Sequence, residues 1–209
     1  MRRVAVIMGL WALLVPMAAW ASGIDLSNQF GTVTFTNSGL VSTGSELMSF
    51  GGIKATAGHD LGTVSFSTGA FSGTSIWSGG TFSATGSSFD VIGIGAWAKA
   101  LTGATQNPVT LFTGSFVGPI SWTVVSHVHD DYIFLLSGAI WGELYNGRYV
   151  SGTTTQTIYA FTDQEPFDHK GGIRLGKSNL AVPEPGTLGL LGTGLIAIAG
   201  SVRRKFLRS

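Results

Sequence analysis

The sequence predicts an all-β body over residues 22–181: an antiparallel β-sandwich or jelly-roll-like domain, flanked by an N-terminal signal helix and a C-terminal transmembrane helix. Three observations predict it. Apolar residues alternate with Ser and Thr at a period of two, the mark of half-buried strands. Turn residues punctuate these runs about every 8–14 positions. No stretch of the body carries a convincing helical period with caps. Composition agrees. Gly, Ser and Thr make up 75 of 209 residues, and charged residues only 11%, which excludes a charge-rich disordered chain and a coiled coil. Cysteine is absent, so the core must hold by packing alone.

Residues 32–36 place Val33 and Phe35 on one face, and residues 63–67 repeat this with Val64 and Phe66. A phrase Gly-Thr-Val-[Ser/Thr]-Phe-[Ser/Thr] therefore starts at Gly31 and at Gly62, with a looser Gly-Thr-Phe-Ser at Gly80. Stacked Gly-rich rungs over 31–90 would make a β-solenoid, the competing architecture. Residues 96–105 are the one candidate short helix, weakened by Gly103. Residues 109–117 read as a strand with Phe112 and Phe116 on one face. Residues 120–128 group Ile120, Trp122, Val124 and Val128, and Gly118-Pro119 predicts a turn between the two. Two further strand-like runs, 132–145 and 148–161, flank Asn146-Gly147, which predicts a type I′ hairpin.

The formal net charge is +1, but six of the 12 basic residues sit at the ends: Arg2, Arg3, Arg203, Arg204, Lys205 and Arg208. Residues 22–181 hold six basic and ten acidic residues, a net of −4. No basic stripe exists to attract a phosphate backbone, so nucleic-acid binding is excluded as a function class.

Residues 1–21 open with Arg2-Arg3, continue as an apolar run from Val4 to Val15, and end Ala19-Trp20-Ala21. A positive start, an apolar middle and small residues at −3 and −1 predict a signal peptide cut after Ala21. Residues 182–209 begin with Pro183-Glu184-Pro185, which stops any strand because proline lacks the amide donor. An uncharged run from Thr187 to Val202 follows, about 24 Å long as a helix at ~1.5 Å per residue. Arg203-Arg204-Lys205 close it as a membrane stop, with positive residues held on the cytoplasmic side.

This order of Pro-Glu-Pro, short Gly-rich apolar helix and basic end resembles the PEP-CTERM sorting signal of Gram-negative bacteria. The resemblance rests on Pro183, Glu184 and Pro185 and on Arg203, Arg204 and Lys205. It implies an exported chain, anchored in the inner membrane as a precursor and processed by an exosortase-type membrane peptidase. It also implies a mature form at the cell surface or outside the cell. The substrates often belong to bacteria that make extracellular polysaccharide, biofilm or floc, so the expected partners are the export machinery, the exosortase, the membrane and extracellular polysaccharide. The activity of the body is not implied.

Chemistry in the body is sparse. In His127-Val128-His129-Asp130-Asp131, the residues at i and i+2 of a strand share a face, so His127, His129 and Asp131 are weak metal candidates. The run overlaps the opening of the metallo-β-lactamase motif, but Tyr132 stands where a ligand is needed, and only His59 and His169 lie elsewhere. Asp163, Glu165 and Asp168 form a polar loop beside Pro166, a weak candidate for paired-carboxylate work. No nucleophile elbow, phosphate loop or zincin helix is present. The body is therefore read as a non-enzymatic surface or matrix protein without cofactor. The alternatives are a carbohydrate-binding module and, further off, a metal-dependent hydrolase using His127 and His129. Of Trp77, Trp97, Trp122 and Trp141, alternation sends Trp122 to the core, and Trp77, flanked by Ser and Gly, is expected to be exposed.

Overall fold

The computed structural model describes residues 23–181 apart from Asn37, Asp130 and residues 162–169. The predicted signal helix, sorting segment and transmembrane span lie outside the described residues. Among the described residues, no helix is long and apolar enough to cross a membrane.

The strands, in chain order, are β1 (Gly23–Thr36), β2 (Gly39–Phe50), β3 (Ile53–Lys54), β4 (Gly62–Ser67), β5 (Phe71–Ser72) and β6 (Gly80–Phe82). They continue as β7 (Ser88–Gly93), β8 (Val109–Val128), β9 (Asp131–Leu144), β10 (Tyr149–Phe161) and β11 (Lys170–Ala181). Eight of them form a ring in the order β1-β2-β4-β7-β8-β9-β10-β11, each antiparallel to the next, and β11 returns to pair with β1. β3 hangs on β2, and the β5–β6 hairpin joins β8 through β6.

The ring corrects the predicted architecture. Two open sheets packed face to face, or a jelly roll, would need long crossing connections. Here each ring strand pairs with its sequence neighbour on the ring, and the first meets the last, so the sheet closes on itself as an up-and-down barrel. The solenoid alternative over 31–90 falls for the same reason. Both copies of the repeated phrase lie on ring strands of one antiparallel meander, with Val33, Phe35, Val64 and Phe66 buried.

Three local expectations also change. Gly118-Pro119 is not a turn: β8 runs through it with a register shift and Gly118 at φ 74°. At that bulge β8 changes partner, from β7 (Phe89↔Gly114) to β6 (Phe82↔Ile120), so the proline interrupts neither ladder. The Asn146-Gly147 hairpin exists but is not type I′. Gly147 alone of the pair has positive φ, its N–H donates to Leu144 O (2.9 Å), and Leu144 N–H donates to Arg148 O (2.9 Å). That is a three-residue loop ending in a glycine bulge. Finally, Gly103 terminates the predicted helix. α1 (Ala96–Thr102) stops where Gly103 turns left-handed (φ 73°) and donates its N–H to Lys99 O at 2.8 Å.

The interior has two kinds of wall. β4, β7, β8 and β9 contribute Phe66, Phe89, Phe112, Phe116, Trp122 and Phe134, all buried. Trp122 stacks on Phe134 (4.3 Å, 15°) and takes edge contacts from Phe35 (5.5 Å) and Phe82 (5.7 Å). Its Nε1–H donates to Ile76 O at 2.8 Å, so the buried indole leaves no orphan donor.

β1, β2, β10 and β11 send Asn28, Ser45, Thr154, Gln156 and Ser178 inward among apolar side chains such as Leu26, Phe35, Leu47 and Ile158. Asn28 on β1 and Gln156 on β10 both stand in register with Gly176 of the intervening β11. With no side chain between them, the two amides meet: Asn28 Nδ2 donates to Gln156 Oε1 (3.0 Å), and Gln156 Nε2 donates back to Asn28 Oδ1 (3.3 Å). Ser45, Thr154 and Ser178 complete the network. A Cβ on Gly176 would collide with both amide oxygens.

Candidate functional site

The strand pairing brings the ends of the described domain together. Gly23, the first residue of β1, is the register partner of Ala181, the last of β11. The predicted leader residues Ala19 and Ala21, the motif Pro183, Glu184 and Pro185, and the stop Arg203, Arg204 and Lys205 lie outside the described residues.

The outer face is set by strand alternation: most apolar side chains point in, and most of the Ser and Thr of the strands point out beside exposed Val117, Val125, Trp141 and Leu175. This is the reverse of a lipid-facing barrel, which needs an apolar exterior. Outward residues line up in rows across the strands. One row runs Ala139, Thr153, Asn179, Asp25, and the next runs Ser137, Thr155, Lys177, Ser27, Ser49. Asn179 Nδ2 donates to Asp25 Oδ1 at 2.6 Å, and the hydroxyls of Ser27 and Ser49 are 2.6 Å apart. A trough of about 420 Å³ opens over these two rows, with Thr153 and Thr155 at one side and Ser27 and Ser49 at the other. Asp25 and Lys177 bring one charge of each sign.

One row further along β10, Trp141 pairs with Ser151. The Trp141 ring stacks on Tyr149 (4.8 Å, 19°), a diagonal cross-strand pair. Trp141 is 49% exposed and Tyr149 56%. Period-2 reading could have found Trp141, because buried Ile140 and Leu144 alternate with it. The expectation for Trp77 was wrong: that ring is half-buried against Tyr132 (4.8 Å) and Phe134 (5.8 Å). Trp122 is buried as expected, and Trp97 is half-buried with its Nε1–H donating to Leu61 O at 3.1 Å.

The histidine pair does not share a strand face. The β8–β9 ladder ends at Val128↔Asp131, so His129 sits in the turn with φ 55°, and the i, i+2 argument does not apply to it. His127 instead stacks on its cross-strand partner Tyr132 at 3.9 Å. Among the described residues, no three His, Asp or Glu side chains gather where they could hold a metal ion. Asp130, Asp163, Glu165, Asp168 and His169 lie outside the described residues.

Residues 181–205 match the family model of the PEP-CTERM protein-sorting motif. The chain carries a PEP-CTERM sorting signal. The match starts on the final residue of β11 and ends on Lys205, and so contains the proline motif, the apolar run and the basic stop. PEP-CTERM signals mark exported, membrane-anchored precursors sorted with an exosortase. No curated protein and no solved structure matches the chain.

Proposed function

We propose that this chain is a PEP-CTERM precursor whose β-barrel is a non-catalytic cell-surface or extracellular matrix domain. In this reading a signal peptidase cuts after Ala21. The run from Thr187 to Val202 then parks the precursor in the inner membrane, and Arg203, Arg204 and Lys205 keep its end on the cytoplasmic side. An exosortase-type peptidase processes the tail at or near Pro183-Glu184-Pro185. The observation that carries the reading is the sorting-motif match directly after the last strand. The Ser/Thr-rich exterior, which water and hydroxyl-bearing matrices solvate equally well, supports it.

The test is fractionation of a host with and without its exosortase-type peptidase, followed by mass spectrometry of the mature termini. With the peptidase, the expected product begins at Ser22, ends beyond Ala181 and lies outside the inner membrane. Without it, the full tail stays with the membrane. A full-length chain in the cytoplasm, or identical carboxyl ends in the two hosts, overturns the proposal.

A further inference from the structure

We propose that the trough over β10, β11 and β1, with Trp141 and Tyr149 at its rim, is a binding site for a neutral polysaccharide chain. A pyranose presents two unlike surfaces: C–H groups on its faces and hydroxyls around its edge. Recognition needs an aromatic ring for the first and paired donors and acceptors for the second. The trough supplies the second, and the Trp141–Tyr149 pair, one row further along β10, supplies the first. Trp141 and Tyr149 leave about half of their surface open beside Ser151, Thr153 and Thr155 of β10. Thr153, Thr155, Ser27 and Ser49 offer hydroxyls that donate and accept alike.

Charge and length narrow the ligand. Within the trough Asp25 and Lys177 bring one charge of each sign, and Glu143 stands beside Tyr149, so nothing there selects a polyanion. From Tyr149 to Thr155 the outward positions of β10 extend about 20 Å at ~3.3 Å per residue, room for several sugar units rather than one. Every contributing residue sits on a strand of the closed ring, so the surface is formed before the ligand arrives.

The test is affinity electrophoresis of the full chain in mild detergent, through gels holding hydroxyethylcellulose, galactomannan or xyloglucan, with anionic alginate alongside. The expected result is retardation in at least one neutral gel, weakened about tenfold or more by Trp141→Ala and by Tyr149→Ala and unchanged by Trp77→Phe. Thr155→Lys, which adds charge to one side of the trough without touching the rings, is expected to weaken it as well. No retardation in any neutral gel, retardation by alginate alone, or wild-type retardation of Trp141→Ala and Thr155→Lys overturns the site. This assay reads the purified protein, so its failure is separate from any failure of export or tail processing.

Discussion

Across the barrel interior, the wall of β7, β8 and β9 faces the wall of β10, β11 and β1. The first is aromatic, with Phe89, Phe112, Phe116, Trp122 and Phe134 filling space and touching one another edge and face. The second is polar at its centre, where Asn28 and Gln156 bond reciprocally over Gly176. Aromatic packing supplies stabilisation in proportion to the area removed from water, but it tolerates small slips. The amide pair does the opposite. Net stabilisation from such bonds is modest, yet a register shift would bring a side chain where Gly176 must be and leave buried amides without partners. The polar wall holds the seam where the first strand meets the last, joining residues 128 apart in sequence. Bulk is placed where neighbours in sequence pair anyway, and specificity is placed where the chain must find a distant partner.

That contrast can be broken experimentally. The largest effect is expected from removing the seam: a chain ending after Phe161 should lose cooperative thermal unfolding, whereas one ending after Ala181 should keep it. Equal melting of the two would mean that the ring does not need β11. Next, Trp122→Ala should cost about 3–5 kcal/mol in denaturant titration, the usual toll of deleting a large buried aromatic. Gly176→Ala should cost roughly 1–3 kcal/mol, because the added methyl parts the two amides and strands their polar atoms. A cost near zero would remove the register role assigned to the polar wall. Trp141→Ala should shift stability by less than about 1 kcal/mol, since its ring lies outside the ring of strands and only its diagonal contact to Tyr149 is lost.

The apolar part of the interior is legible in the sequence. Val33, Phe35, Val64, Phe66 and Trp122 fall on the inner face that simple alternation assigns them. The polar wall is not, because alternation there is written in the wrong alphabet: Asn28, Ser45, Thr154 and Gln156 occupy inward positions that look outward by composition. Backbone irregularity hid more. Phe30 and Gly31 both take positive φ, so the inward set changes from Leu26 and Asn28 to Val33 and Phe35, and half of β1 drops out of phase. In β11, Gly171, Gly172 and Gly176 removed the side chains that would have announced a strand. Closure itself depends on a pairing that no local pattern encodes. The sorting motif, by contrast, was legible, because it is a linear order of residue types, and residues 181–205 match its family model.

Gly23 and Ala181 face each other in the ladder. A polypeptide threaded across a membrane amino end first would deliver its leading stave early and its mate almost last. Until then the circle stands open, and Asn28 lacks the Gln156 amide. If the chain is exported as proposed, its ring cannot close before the last stave has followed the first.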